Sequence, residues 1–442
     1  MEAGDPMIQL FPMQTGGGRR PMTSPDRIEA DYLLETAYDP RRAAEAMAGE
    51  QSSGTFIAIP GETPELKARA AARVEALRIL DDEVREPSLP FAAVPKDASA
   101  RWQRALVTLS WPLDNIGPSL PNLLATVAGN LFELIQVSGL RLLDLRLPQA
   151  FAAAYPSPRF GVAGTRRLAG VETGPLIGTI IKPSVGLMPE DTAALTETLC
   201  DAGIDFIKDD ELQSDGPNCP FDNRVQAVMR VINAHADRTG KKVMFAFNLT
   251  GDLDQMRRRH DLLLKHGATC LMASLNSVGL VGMIELARFS QLPIHAHRNG
   301  WGYLSRHPLL GWSYVAWQKI WRLAGADHMH VNGLQSKFAE ADDSVIASAR
   351  ACLTPLFETK PCTVMPVFSS GQSAKQAPGT YAGLGSTDLM VTAGGGIVAH
   401  PGGTAAGVAA LREAWEAAVA GIPLADYARD HPALAQALEM AA

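Results

Sequence analysis

Residues 176–211 read LIGTIIKPSVGLMPEDTAALTETLCDAGIDFIKDDE. A short apolar run ends at Lys182 and Pro183. A stretch of helical period then runs from Pro189 to Gly203, and glycine suits a helix C-terminus. A second apolar run holds Ile204, Phe206 and Ile207, and stops at Lys208, Asp209, Asp210 and Glu211. The reading is strand, helix, strand, the repeating unit of a parallel sheet. One cation and three carboxylates at the mouth of a buried strand are either a solvated turn or a device for holding a hard metal ion.

Working outward, the unit recurs. The strands read as LIGTIIKP, IDFIKDD, KVMFAFNL, TCLMASL, LPIHAHR, DHMHVNG, TVMPVFSSG and LMVTAGGG. Helical stretches such as NRVQAVMRVINAHADRTG, DLDQMRRRHDLLLKHGA and SYVAWQKIWRLAGA lie between them. Eight strands alternating with helices predict a (β/α)8 TIM barrel. The preceding ~150 residues have another texture. DRIEADYLLETAY and ARWQRALVTLSWP read as strands, and TPELKARAAARVEALRIL reads as one helix. The fold class expected is α/β: a C-terminal TIM barrel over residues 157–442, preceded by a smaller α+β (ferredoxin-like) domain over 23–156 and a flexible tail over 1–22. GVAALREAWEAAVAG is expected as the helix that closes the chain.

Composition narrows the function. The 442 residues are 46% hydrophobic and 20% charged, with net charge -7. That balance offers no electrostatic footprint for nucleic acid and no basic surface for anionic lipid. No apolar run reaches the ~18 residues of a membrane span. The N-terminus lacks the charged start and apolar centre of a signal peptide. The five cysteines form no CxxC pair; they read as reduced structural thiols of a cytoplasmic protein.

A barrel keeps its chemistry at the C-terminal ends of its strands. Lys208 and Asp210 are two apart, so they share a face, and Glu211 follows at the strand end. Two carboxylates suit Mg²⁺, which prefers oxygen donors. An ammonium is no ligand, but a neutral lysine amine that captures CO2 becomes an anionic carbamate. The plainer reading is a Lys–Asp salt bridge. Ser369 and Gly371 after the seventh strand, and Gly394 and Gly395 after the eighth, fall where barrels commonly hold phosphate. Arg298 could fork onto a second anion. HAHR and HMH set His295 beside His297 and His328 beside His330, as acids or bases or as a zinc site.

In this order the motifs resemble the RuBisCO large chain. GIDFIKDDE is similar to the signature of the carbamylated lysine, which implies Lys208 as carbamate, with Asp210 and Glu211 as Mg²⁺ ligands. GTIIKPSVGL resembles the motif of the proton-transfer lysine, here Lys182. HAHR gives His297 and Arg298, and DHMH places His330 near a phosphate. Lys337, in LQSKF, falls at the mobile-loop lysine. GEQSSGTF and GNLF place Glu50, Thr55 and Asn130 at positions that complete a partner's barrel, which implies a homodimer or dimer-based oligomer with shared sites. The sequence departs from carboxylating relatives: Ser184 stands where a second lysine is expected, Trp301 replaces a histidine, and the loop lacks its glycine-lysine pair. A RuBisCO-like protein of the form IV group is therefore expected, not a CO2-fixing enzyme.

Such a site acts through a cis-enediolate. Asn130 stands where the methionine-salvage enolases carry a lysine, which disfavours that reaction. The expectation is Mg²⁺-dependent decarboxylation of a phosphorylated 3-oxo sugar acid of the 3-oxo-isoapionate-4-phosphate type, with Lys182 donating the proton. Isomerisation of 5-methylthioribulose-1-phosphate is the alternative, and a non-catalytic metabolite-binding relative the second.

Overall fold

The computed structural model describes residues 25–54, 59–81, 84–96 and 101–440. The tail read over residues 1–22 and the candidate Thr55 lie outside them. The strands, in chain order, are β1 (Arg27–Thr36), β2 (Arg73–Ile79), β3 (Gln103–Pro112), β4 (Gly139–Arg146), β5 (Leu176–Ile180), β6 (Phe206–Lys208), β7 (Met244–Asn248), β8 (Cys270–Ser274), β9 (Ile294–His297), β10 (Leu310–Trp312), β11 (His328–Asn332), β12 (Met365–Phe368) and β13 (Met390–Thr392). They fall into two units. Of the described residues, one unit holds Pro156–Asn299 and those from Trp321 on; the other holds those up to Tyr155 with Gly300–Ile320.

In the larger unit the strands close a barrel in the order β11-β12-β13-β5-β6-β7-β8-β9. All its neighbours pair in parallel. Each of the eight strands read from the sequence is a barrel strand. Several helices between them end where glycine takes the left-handed conformation, as at Gly240 (φ 77°) after Phe221–Thr239. A side chain there would be strained, so the helix stops. The interior is packed: Leu176, Phe206, Met244, Cys270, Met272, Met365 and Val367 form one buried cluster. Each such side chain contributes about 1.5–3 kcal/mol by leaving water. The charged residues of β6 are thereby left to its C-terminal end, while polar side chains such as His295 and Thr179 are buried on other barrel strands.

The smaller unit is a five-stranded mixed sheet, β10-β4-β1-β3-β2, with β1 antiparallel to both of its neighbours. The helix Pro40–Glu50 buries Ala43, Ala44 and Met47.

Two expectations are corrected. Residues 63–80 are not one helix. A helix capped by the Thr63 hydroxyl covers Pro64–Ala70, and Arg73–Ile79 is β2, paired with β3. The Ala, Arg and Glu of this stretch favour helix, but the unpaired edge of β3 offers a ladder, and pairing outweighs propensity. The helix Gly403–Ala420 does not close the chain either; Leu424–Tyr427 and Pro432–Glu439 follow it. The stretch after HAHR, unreadable in sequence, forms the helix Trp301–Ser305 and then β10, which adds to β4 in parallel at Leu310↔Leu140.

Candidate active site

At the end of β6 the alternation of the strand sorts the charges. Lys208 is buried, and its Nζ donates to the Asp209 carbonyl at 2.8 Å and to Glu211 Oε2 at 3.4 Å. Burial pushes the Lys208 pKa down, against the pull of Glu211 and Asp210. Asp209 points to the other side, paired with Arg224 at 3.1 Å and accepting the Asn248 amide at 2.9 Å. It is a structural anchor, its pKa raised by burial against Arg224. Asp210 is buried, and its Oδ2 accepts from Lys182 Nζ at 2.7 Å. The same amine donates to Ser184 Oγ at 2.7 Å. Glu211 Oε2 also stands 3.4 Å from His297 Nε2. Burial raises the Glu211 pKa, but the Lys208 charge and hydrogen bond, a backbone hydrogen bond and the Lys182 charge together hold it below the ordinary value.

The donors fit a hard divalent cation under one condition. Among the described residues no group of three or more His, Cys, Asp or Glu converges as metal ligands. Asp210 and Glu211 supply two carboxylates, and Lys208 lies beside them with its amine pushed towards neutrality. Only an anionic oxygen built on that amine gives a third hard donor. Asn248 was missed in the sequence. Its Nδ2 donates to the carbonyls of Asp210 and Glu211, both at 3.3 Å, and fixes the turn that presents the carboxylates. Its only sequence signal is a polar residue ending KVMFAFNL.

The histidines take a different form. His295 Nε2 meets His330 Nε2 at 2.7 Å, and His295 Nδ1 meets His328 Nδ1 at 3.4 Å. His330 Nδ1 lies 3.0 Å from Ser369 Oγ. Their nitrogens face one another rather than a shared point, so the zinc reading falls. Burial holds His295 and His330 well below the ordinary histidine value and His328 at about 3. His297 is also well below it, through burial and then the Lys208 charge. His297 Nδ1 accepts the Asn299 amide at 3.2 Å, so Nε2 carries the hydrogen and faces Glu211.

The remaining candidates line loops. Arg298 is paired with Glu340 at 3.0 Å. Glu340 also accepts from Asn332 and Ser344, each at 3.1 Å; no motif announced it. Lys337 is exposed, with its Nζ 5.3 Å from the Phe338 ring, and is not drawn to the carboxylates. Ser369 is buried, while Ser370 and Gly371 take φ of 70° and 83° in succession. A Cβ at Gly394 or Gly395 would meet nothing within 4 Å, whereas one at Gly396 would lie 2.7 Å from the Gln372 carbonyl. The first two glycines therefore have open space on their Cβ side and the third is a packing contact. In the smaller unit Asn130 Nδ2 donates to Glu50 Oε1 at 3.2 Å across 80 residues of sequence.

Residues 161–441 match the catalytic domain of the ribulose bisphosphate carboxylase large chain, and residues 28–151 match its N-terminal domain. The chain belongs to the RuBisCO large-chain family. Within it the chain is 62% identical to a 3-oxo-isoapionate-4-phosphate transcarboxylase/hydrolase of Xanthobacter autotrophicus, over 93% of this chain and 99% of that one. It is 47% identical to a 3-oxo-isoapionate-4-phosphate decarboxylase of Rhizobium rhizogenes, over 93% and 97%. A rubisco-like protein of Burkholderia fungorum superposes with TM-score 0.88 at 49% identity, covering 94% of this chain and all of that one. RuBisCO-like kinship gives Ser184 meaning: where a second lysine was expected, a neutral hydroxyl accepts from Lys182. Among the described residues no helix is long and apolar enough to cross a membrane.

Proposed function

We propose that the barrel acts on 3-oxo-isoapionate-4-phosphate, breaking the bond between its carboxyl group and the adjacent carbon to leave an enediolate. One observation carries the reading: Lys182, Lys208, Asp210 and Glu211 form a charged corner at a barrel mouth in a chain 62% identical to an enzyme named for that substrate. In a 3-oxo acid the electrons of the broken bond pass into the neighbouring carbonyl. Asp210, Glu211 and a carbamate on Lys208 would hold Mg²⁺, which when bound favours negative charge on the substrate oxygens. The carbamate forms when the neutral amine attacks CO2 and releases one proton.

The chain's own groups do the rest. Lys182 stands half-exposed against Asp210, where it keeps a proton ready for the enediolate carbon. His297 holds a neutral imidazole with Nε2–H beside Glu211 and orients that carboxylate. Backbone amides at Gly371, Gly394 and Gly395 take the phosphate, with Arg298, His330 and Ser369 at the far rim. Lys337 swings in with its loop. Glu50, Thr55 and Asn130 complete the barrel of a second copy in a homodimer. Five buried free cysteines suit a reducing cytoplasm.

Both named activities share the first step. A decarboxylase protonates the enediolate. A transcarboxylase/hydrolase returns the carboxyl group to another carbon and then cuts the chain with water. The higher identity to the second favours that course. ¹³C NMR of carboxyl-labelled substrate in D2O, with Mg²⁺ and bicarbonate, separates them. Label in a new carboxylate with chain cleavage is expected. Label in free CO2 with one deuterium in the product would mark the decarboxylase. Unchanged substrate under conditions where Mg²⁺ binds would overturn the proposal.

A further inference from the structure

Thr165 lies on the helix Gly161–Ala169, which precedes the first barrel strand and buries Ala169 in the same cluster as Phe206. No motif marks it. The helix is held at its start by Asp327, whose carboxylate accepts the amides of Phe160 at 2.7 Å, Gly161 at 2.8 Å and Ile294 at 2.9 Å. The Thr165 hydroxyl donates to the Gly161 carbonyl at 2.5 Å and lies 2.8 Å from His328 Nε2. From His328 the contacts run to His295, then His330, then Ser369. These six residues form one file from a helix outside the strands to the loop after β12.

A neutral imidazole has one N–H and one bare nitrogen, so each link fixes the next. The tautomers follow from the network. The single Thr165 hydrogen goes to Gly161, so Thr165 accepts from His328 Nε2–H. His328 Nδ1 is then bare and accepts from His295 Nδ1–H. His295 Nε2 is bare and accepts from His330 Nε2–H. His330 Nδ1 is bare and accepts from the Ser369 hydroxyl. Two bare nitrogens 2.7 Å apart would repel, and two N–H groups would collide, so the His295–His330 link cannot change without its neighbours.

The geometry points to a tautomer relay in which Thr165 fixes, through His328, His295 and His330, the direction in which Ser369 points its hydrogen. Thr165 is a positioning residue. With its hydrogen spent on His330, Ser369 meets a ligand only as an acceptor, so it fits a substrate hydroxyl and not a phosphate oxygen. Burial of all three rings supports their neutrality.

Neutron diffraction from crystals of the full chain reads the hydrogens directly. The expected positions are Nε2 of His328, Nδ1 of His295, Nε2 of His330, and Ser369 Oγ–H aimed at His330. A hydrogen on His330 Nδ1, or a doubly protonated ring in the file, overturns the relay. Thr165→Val strands the His328 Nε2–H without an acceptor, so the file should reverse and put the hydrogen on His330 Nδ1; Thr165→Ser should keep the original order. An unchanged His330 in Thr165→Val overturns the proposal. If the valine variant does not fold, the wild-type map still decides. These positions do not depend on which substrate the barrel takes, so their failure differs from failure of the proposed activity. In kinetics, kcat/KM should fall by about tenfold in the valine variant and recover in the serine variant.

Discussion

Two parts of one barrel treat polar groups in opposite ways. At the end of β6 the groups are charged: Lys182, Lys208, Asp210 and Glu211 lean on one another at 2.7–3.4 Å, with Lys182 open to solvent. On β9 and β11 they are neutral, and His295, His328 and His330 pass hydrogens along a closed file that ends at Ser369. The charged corner is held from outside. Asn248 grips its backbone and Arg224 neutralises Asp209. The neutral file holds itself. Buried charge is costly unless paired, so a site that must change its charge on meeting metal or substrate keeps partners that can leave. A site that must only aim a hydrogen needs none.

The largest expected effect breaks the charged side. Lys208→Ala removes the amine on which a carbamate would form, and turnover should fall by about a thousandfold or more, a loss of ~4 kcal/mol in the barrier. Steady-state kinetics with saturating Mg²⁺ and bicarbonate checks this. Lys182→Met comes next. It leaves the carboxylates but removes the proton beside them, and should cost about a hundredfold or more in kcat. If both substitutions were harmless, the charged corner would be no more than a salt-bridge cluster.

The neutral side is sharpened by pH. His328 titrates at about 3 in the folded chain and near 6.5 when unfolded. Between those values the unfolded chain binds a proton that the folded chain refuses, so stability falls as pH drops below about 6.5. The slope for one such histidine is at most about 1.4 kcal/mol per pH unit. Melting temperatures from pH 7 to pH 5 should show the fall, and His328→Asn should make it shallower by one histidine's share, because His295, His297 and His330 are held below the ordinary value as well. An equally steep variant would place the acid sensitivity elsewhere.

The smallest effect concerns the rim. Gly396→Ala puts a methyl 2.7 Å from the Gln372 carbonyl and should destabilise by about 1–3 kcal/mol. Gly395→Ala meets open space and should leave stability within about 0.5 kcal/mol. Thermal melts of the two variants make the comparison; equal losses would mean that both glycines are packing contacts.

The sequence exposes what is local. Apolar runs closed by glycine-ended helices declared the barrel, and period-two alternation put Lys208 and Asp210 on one face. What it hid depends on partners far along the chain. Arg224 claims Asp209 from the next helix, Asn248 reaches the carboxylate turn from β7, and Glu340 takes Arg298 from a loop. Each is a single polar residue with no motif around it. Arg73–Ile79 carried helical propensity, and only the edge of β3 turns it into a strand. Thr165 was illegible for the same reason: its meaning lies in His328, 163 residues away.

The charged corner makes the account's central demand, because Asp210 and Glu211 lack a third hard donor unless Lys208 becomes one. ¹³C NMR of the full chain with labelled bicarbonate and Mg²⁺ tests it directly, with Lys208→Ala as the control. The account predicts a carbamate carbonyl resonance that appears with the metal and is absent from the variant. Turnover at the full rate without that resonance would contradict it.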